Sequence, residues 1–313
     1  MSWREPERSL TARKREDTMN IKDIELCASY WTVSGDTYPG APSEISPFPL
    51  RDRAEVCGRV GWRAMGFVMD DINAAIADLG MPTVRSIFAD NGIRHVELEF
   101  LVDWHLDGER RQASDVAFDR MLEVAADLPV PKIKLGGGVF ETGEPDIPAM
   151  RAAMARLCEK AAPLGIDLVI EFLPFASINT IERGLQVFEG LGVTNGGLLV
   201  DTWHIERGGM SGADIRKMPK QFLRAVELND AAHEITGDFF NDSTHHRALC
   251  GEGCIDIASQ IQAILDVGYR GYWGVEVISA VHRKLPLEIA AQRAFDTSMA
   301  AFEPVTFPAD EAA

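Results

Sequence analysis

Four carboxylates interrupt apolar runs in the second half of the chain. They are Glu171 in VIEFL, Asp201 in LLVDT, Glu227 in AVELN and Glu276 in GVEVI. Carboxylates held close together repel one another, which raises their pKa values unless a cation lies among them. A hard divalent cation meets that need, and ligation by oxygen alone favours Mg²⁺ or Mn²⁺ over a structural zinc. We predict that the four residues bind one such metal.

Charged residues also alternate with apolar ones in two earlier runs. Glu97 and Glu99 do so in HVELEF, and Lys132 and Lys134 do so in KIKLG. Glu99 is a candidate to bind a substrate hydroxyl, with a salt bridge to one of the lysines as the alternative. Lys134 is a candidate general base, a role that needs a pKa near neutrality. A lysine among acids normally keeps its charge, so an electrostatic clamp is the alternative for Lys134.

These residues belong to a regular alternation of short apolar runs and helix-length amphipathic stretches that begins at Met19. Such an alternation is typical of βα units and a parallel sheet. The predicted strands are IELCASYW from Ile24, RAMGFVM from Arg63, RHVELEF from Arg94, PKIKLGG from Pro131, DLVIEFL from Asp167, GGLLVDTW from Gly196, RAVELND from Arg224 and GYWGVEVIS from Gly271. The predicted helices are 70–91, 109–127, 147–163, 180–191, 213–223, 255–267 and 285–302.

The first predicted strand is not followed by a glycine-rich phosphate loop, which a doubly wound sheet would more often carry. Eight βα units without that loop predict an α/β fold, a single (β/α)8 TIM barrel. In such a barrel, apolar side chains face the helices and alternate residues face the axis. By this parity the four carboxylates point inward near the carboxyl-terminal ends of strands five to eight, as do Glu99 and Lys134 on earlier strands.

The 313 residues and 46% hydrophobic content suit one barrel domain. The predicted divisions are a disordered leader at 1–18, the barrel at 19–305 and a flexible tail at 306–313, and a translation start at Met19 is an alternative. The net charge of −17 makes nucleic acid and anionic membranes poor partners. Five scattered cysteines without an export signal indicate reduced thiols and a cytoplasmic protein. We also expect a homo-oligomer.

Several segments together carry a resemblance to a known family. They are VIEFLPFASINTIE, NGGLLVDTWHIERGG, AVELNDA, HRALCGEGCIDI and GYRGYWGVEVIS. In this order they resemble the xylose isomerase-like barrels grouped as sugar phosphate isomerases and epimerases. The resemblance covers nearly the whole chain after Met19, and it is specific for the superfamily but weak for a substrate.

The resemblance implies roles for particular residues. Glu171, Asp201 and Glu276 match metal ligands of the family, His204 matches a histidine that contacts the substrate or a water on the metal, and Arg247 matches an arginine that grips substrate oxygens. Glu227 departs from the family pattern, because many members carry histidine there. A carboxylate at this position makes the predicted site more anionic and less suited to zinc.

The resemblance also implies a chemistry, the removal of a proton next to a carbonyl of a sugar or polyol. A metal on adjacent oxygens stabilises the resulting enediolate, and the candidate bases are Lys134, His204, Glu171 and Glu276. The leading hypothesis is a keto-sugar isomerase or epimerase. The alternatives are a lyase that eliminates a β-substituent, like inosose or 3-dehydroshikimate dehydratases or the large subunit of a C-glycoside deglycosidase with its small second subunit, and a carbohydrate-binding barrel without catalysis.

Two further features have open interpretations. Trp31 and Trp104 follow predicted strands and are candidate walls for a sugar ring, with ordinary packing as the alternative. Residues 231–246 carry three histidines and are a candidate lid, with a solvated loop or subunit contact as the alternative. Phosphorylated substrates are disfavoured, because the chain shows no clear phosphate loop and is strongly acidic.

Overall fold

Short runs rich in apolar residues form the strands of a closed parallel barrel. The structure is a computed structural model that describes residues 20–141 and 143–307. Within these residues the barrel strands are β1 (Leu26–Ala28), β2 (Ala64–Val68), β3 (His95–Leu101), β4 (Lys132–Gly136), β5 (Asp167–Glu171), β6 (Gly196–Asp201), β7 (Leu223–Leu228) and β10 (Trp273–Val275). Strand β10 closes the barrel by pairing with β1 on one side and β7 on the other. The predicted (β/α)8 barrel is confirmed.

Helices cover the outside of the barrel and occupy several of its loops. In chain order they are α1 (Tyr30–Val33), α2 (Leu50–Val60), α3 (Met69–Leu79), α4 (Met81–Asp90), α5 (Gly108–Ala125), α6 (Ile147–Ala161), α7 (Ile181–Phe188), α8 (Thr202–Arg207), α9 (Gly212–Ile215), α10 (Phe239–His245), α11 (Ile257–Val267) and α12 (Leu287–Ala300). Helix α2 was not among the predicted helices.

The predicted helix 70–91 is in fact two helices. Helix α3 ends before Gly80, whose φ of +77° is a conformation that favours glycine, and Pro82 occupies the first turn of α4. The predicted sixth strand was also too long. It ends at Asp201, whose side chain accepts hydrogen bonds from the backbone N–H groups of Trp203 and His204 and so starts helix α8.

The predicted strand parity is visible in β5. Leu168 and Ile170 belong to the core that the strands share with the helices, whereas Val169 packs in a separate cluster with inward residues of β6 and β7. Glu171 lies two residues after Val169 and therefore continues the inward row toward the carboxyl-terminal mouth of the barrel. Packing against the helices thus fixes which charged residues face the axis.

A two-stranded ribbon follows β7 at the barrel mouth. It pairs β8 (Asp230–Ala231) with β9 (Arg247–Ala248) in antiparallel orientation. The Asp230 carboxylate accepts hydrogen bonds from the backbone N–H groups of Gly251, Gly253 and Ile255 at 2.9–3.0 Å. A Cβ on Gly253 would lie 2.2 Å from the carbonyl oxygen of Ala231, so only glycine fits there. This anchored turn holds Arg247 at the mouth.

The predicted lid contains helix α10. A buried ion pair of 2.9 Å between Arg207 and Asp242 fixes this helix to α8. At the other end of the chain, the backbone of Thr306 exchanges two hydrogen bonds with the side chain of Gln262. The predicted leader 1–18 and residues 308–313 of the predicted tail lie outside the described residues. No helix in the described part of the chain is long and apolar enough to cross a bilayer.

Candidate active site

The four predicted metal ligands converge at the carboxyl-terminal end of the barrel. Glu171 ends β5, Asp201 ends β6, Glu227 lies in β7, and Glu276 directly follows β10. One carboxylate oxygen from each residue lies within 4.8 Å of the corresponding atoms of the other three, and all four residues are buried. We call these residues the carboxylate ring. Their spacing would allow them to hold a metal ion, and their role as metal ligands stays a prediction.

Lys134 lies beneath the ring as a fully buried cation. Its Nζ atom is 2.5 Å from Glu227 Oε1 and 3.2 Å from both Glu99 Oε2 and Glu97 Oε2. Burial lowers the pKa of Lys134, but the surrounding carboxylates outweigh this effect and hold its pKa well above the ordinary value. Lys134 therefore keeps its proton. It also does not line the cavity described below, so the structure favours the clamp over the general base.

Arg247 supplies a second buried cation from the ribbon. Its Nη1 atom lies 2.7 Å from Asp201 Oδ2 and 2.9 Å from Glu276 Oε2. The other guanidinium nitrogens donate to the backbone carbonyl and the hydroxyl of Ser243 at 3.1 and 2.9 Å. Ser243 was not predicted from the sequence. These contacts fix the guanidinium beside the ring, where it can also meet a substrate oxygen.

His204 contacts the carboxylate ring through Glu171. The two side chains are joined by a contact of 2.7 Å between His204 Nε2 and Glu171 Oε1. His204 is fully buried and does not line the cavity, and its Nδ1 atom has no hydrogen-bond partner among the described residues. His204 is therefore placed to orient Glu171, or to join Glu171 and Asp201 in a second grouping that could hold a metal.

The charge balance of the ring is negative. Its four carboxylates contact two cations, Lys134 and Arg247, which leaves an excess of two negative charges when all groups are ionised. Burial raises the pKa of Glu227 to about 8, with Lys134 opposing the rise and Glu171 reinforcing it. Glu227 Oε2 has no hydrogen-bond partner within the described part of the chain. A divalent cation would remove this excess.

Asn229 contacts the carboxylate ring through Asp201. Its side-chain amide donates to Asp201 Oδ2 at 2.8 Å, and Thr202 Oγ1 donates to the Asn229 carbonyl at 2.7 Å. The alternation rule applied to RAVELND predicts that Asn229, like Glu227, faces inward, although it assigned Asn229 no role. Ser29 donates a short hydrogen bond to Glu227 Oε1 from the end of β1. No pattern in the sequence pointed to Ser29.

A cavity of about 470 Å³ opens onto the ring. Glu99, Glu171, Arg247 and Glu276 provide polar groups in its lining. Trp31 also lines it and is 7% exposed, and its role as a wall for a sugar ring stays a prediction. Many of the remaining lining residues are apolar, and several of them lie in loops, where no periodic pattern could have pointed to them. They include Val68, Met69, Val139, Phe140, Leu173, Phe175, Phe240 and Ile278.

Trp104 does not reach this cavity. It is fully buried, and its indole Nε1 donates to the carbonyl oxygen of Gly136 at 2.7 Å. Its neighbour His105 contacts Glu141 at 3.0 Å. The predicted substrate wall at Trp104 is therefore corrected to structural packing, because its one polar group is already used inside the protein.

Comparison with known proteins gives consistent matches. The family model for the xylose isomerase-like TIM barrel matches residues 51–300. An inosose isomerase of Halalkalibacterium halodurans is 24% identical over 252 residues, which cover 78% of this chain and 88% of that protein. A 3-dehydroshikimate dehydratase of Pseudomonas aeruginosa is 26% identical over 219 residues, which cover 69% of this chain but 32% of the longer relative.

A solved structure of an IolI protein with a bound zinc atom superposes with a TM-score of 0.79 at 19% identity, covering 90% of this chain and 99% of that one. The isomerase and dehydratase names of the relatives confirm the prediction of an enzyme of the isomerase, epimerase or lyase type. With four fifths of its length matched by the family model, the chain belongs to the xylose isomerase-like TIM barrel family.

Proposed function

We propose that this protein is a divalent-metal-dependent enzyme that removes a proton next to a carbonyl of a neutral sugar or cyclitol. The observation that carries the proposal is the carboxylate ring itself. Four buried carboxylates, which carry an excess of negative charge when all of them are ionised, open onto a cavity through Glu171 and Glu276. A binding protein without catalysis would have little use for this costly arrangement.

The donor set fits a hard divalent metal. Glu171, Asp201, Glu227 and Glu276 would hold it, and a bound ion would supply Lewis acidity to substrate oxygens. Oxygen donors alone favour Mn²⁺ or Mg²⁺. The IolI protein was solved with zinc, but the fourth proposed donor in this chain is the Glu227 carboxylate, and oxygen donors alone suit zinc less well than Mn²⁺ or Mg²⁺.

Glu171 and Glu276 are the proposed bases. Both line the cavity, whereas Lys134 and His204 do not. In the barrel they lie on or just after β5 and β10, with β6 and β7 between them. Of two carboxylates on opposite sides of a bound substrate, one can remove a proton from a substrate carbon and the other can deliver a proton to the same or a neighbouring carbon. Arg247 orients Glu276 through the 2.9 Å ion pair, and His204 orients Glu171 through the 2.7 Å contact.

The cavity also favours uncharged substrates. Five of its lining side chains are acidic, and Arg247 is the basic one among the described lining residues. The acidic residues are Glu44, Asp70, Glu99, Glu171 and Glu276. Even with a divalent ion present, a phosphate or carboxylate group would face this excess. Neutral cyclitols and keto sugars are therefore preferred over 3-dehydroshikimate, which is an acid.

A lyase outcome remains the second candidate. It uses the same bases for the first proton abstraction and then expels a β-substituent, and the dehydratase relative supports it. If the substrate is a C-glycoside, a small second subunit is expected by analogy. A homo-oligomer and a cytoplasmic location stay predictions.

The proposal is tested by proton exchange. The purified protein is incubated in D₂O with an inosose and with keto hexoses, with and without chelator, and ¹H NMR follows both substrate and products. Metal-dependent exchange of the proton next to the carbonyl is expected, and it is lost in Glu171→Gln and Glu276→Gln. The exposed Glu252→Gln is the matched control. Exchange that returns a proton indicates isomerisation or epimerisation, and loss of water or another group indicates a lyase. Ligand binding without exchange in any condition contradicts the proposal.

A further inference from the structure

The cavity has two chemically different parts. The ring side is polar and carries Glu171, Glu276 and Arg247. The same cavity is also lined by three phenylalanines that contact one another, two from loops and one from helix α10. We call Phe140, Phe175 and Phe240 the aromatic wall. Their ring centroids lie 5.7 Å apart for Phe140 and Phe175, 5.0 Å for Phe140 and Phe240, and 5.7 Å for Phe175 and Phe240.

The loops that carry Phe140 and Phe175 are tied together. The backbone N–H of Phe140 donates to the carbonyl oxygen of Phe175 at 3.1 Å. Ser177 and Ile178 donate to the carbonyl oxygens of Gly138 and Gly137 at 3.0 and 2.8 Å. A Cβ on Gly137 would lie 2.6 Å from the Cβ of Ile178. The absence of a side chain at Gly137 therefore allows the two loops to approach closely. The aromatic wall is therefore rigidly framed.

Phe140 has a strained backbone and an exposed ring. Its φ is +62°, a left-handed conformation that is unfavourable for a bulky residue, and its side chain is 62% exposed. Strain of this kind persists where the surrounding structure fixes it, and it is common at ligand sites. Phe240 stands on helix α10, which the Arg207–Asp242 ion pair anchors. The wall thus presents an aromatic surface whose position is fixed before a ligand arrives.

A sugar could place only the C–H faces of its ring against this wall, because its hydroxyls would gain little there. A hydroxyl buried against phenyl rings loses hydrogen bonds to water and finds no partner. A planar apolar group gains contact area and the favourable stacking of aromatic rings. The cavity therefore suits a ligand with a polyol ring at one end and an aromatic or similarly flat group at the other.

We propose that the substrate is an aryl-substituted sugar or cyclitol. Its polyol ring lies against Glu171, Glu276 and Arg247, and its aryl group lies against the aromatic wall. This inference rests on the proposed function for the identity of the polyol end. The wall itself is a subsite for the substituent, so it determines substrate specificity without taking part in proton transfer.

Binding of two matched probes tests the subsite. Phenyl β-glucoside and methyl β-glucoside share the sugar and differ in the substituent, and calorimetry measures the Kd of each for the full-length protein. The phenyl compound is expected to bind about tenfold more tightly. Phe140→Ala and Phe175→Ala are expected to bring the two Kd values within about threefold of each other while leaving that of the methyl compound unchanged. Phe140→Leu serves if an alanine variant fails to fold.

The control is Val281→Ala, because Val281 is 76% exposed and does not line the cavity. This variant should keep the full preference for the phenyl compound over the methyl compound. Equal Kd values in the unchanged protein, an undiminished preference in the phenylalanine variants, or failure of the phenyl compound to bind at millimolar concentration would each overturn the inference. Because the measurement needs no turnover, a preserved phenyl preference without proton exchange would contradict the proposed function alone.

Discussion

Lys134 Nζ lies 2.5 Å from Glu227 Oε1, so the residue that was expected to depart from the family pattern is paired with a cation from β4, three strands away around the barrel. Both side chains are fully buried or nearly so. Glu227 is therefore buried beside a specific cationic partner, which opposes the rise of its pKa that burial causes. Its second oxygen, Oε2, is buried and has no hydrogen-bond partner among the described residues.

Removing the cation beneath the ring should destabilise the protein. In the presence of chelator, Lys134→Met leaves Glu227, Glu99 and Glu97 buried without their shared partner, and the free energy of unfolding should fall by about 3–5 kcal/mol. Urea denaturation measures this change. Lys160→Met removes a half-exposed lysine paired with Asp119 and should cost less than about 1 kcal/mol. Equal losses in the two variants would show that Lys134 does not balance the ring.

Replacing Glu227 should change the metal preference. Glu227→His introduces a nitrogen donor of the kind that zinc favours, and it removes one negative charge from the ring. The ratio of Zn²⁺ to Mn²⁺ affinity, measured by competition and mass spectrometry, should rise at least about tenfold. An unchanged ratio would indicate that Glu227 does not contribute to the metal site.

Metal affinity should depend on pH. In the metal-free protein burial raises the pKa of Glu227 to about 8, and burial together with Glu227 raises the pKa of Glu276. Below these pKa values the carboxyl groups hold protons that a metal must displace. Mn²⁺ affinity should therefore increase as the pH rises from about 6 to about 8, and calorimetry in buffers of different ionisation enthalpy should detect proton release. Affinity that is flat over this range would contradict the raised pKa values.

The contact between His204 and Glu171 should matter for metal binding and activity. His204→Gln removes the 2.7 Å contact of Nε2 with Glu171, and an outer partner of this kind is typically worth about 10–100-fold. The loss should appear in Mn²⁺ affinity and in kcat, with a smaller effect on KM. His105→Gln, which changes a histidine paired with Glu141 outside the ring, is the control. Equal effects of the two substitutions would assign His204 a purely structural role.

The sequence predicted side-chain directions correctly along the strands, where apolar and polar residues alternate regularly. Alternation along β5, β6 and β7 placed Glu171, Asp201 and Glu227 on the axis, because packing against the helices leaves one parity for the interior. The same rule placed Lys134 inward, but it could not choose the partner of a long flexible side chain. That choice depends on distances between strands that are far apart in sequence.

The alternation of apolar and polar residues did not predict side-chain directions in the loops or at the ends of strands and helices. Trp104 follows a strand as Trp31 does, yet its indole turns to the carbonyl of Gly136, which no periodicity encodes. Phe140 and Phe175 reach the cavity through hydrogen bonds between two loops. Tertiary contacts of this kind determine where loop side chains point. The cavity-lining positions of Phe140 and Phe175 were therefore found only in the structure.

The most direct test of the account is Mn²⁺ binding followed by electron paramagnetic resonance. The unchanged protein should bind one Mn²⁺ per chain, and a folded Glu171→Gln, Asp201→Asn double variant should bind none at the same concentrations. Retention of the full Mn²⁺ stoichiometry in the double variant, or lack of any binding by the unchanged protein, would contradict a metal site at the carboxylate ring.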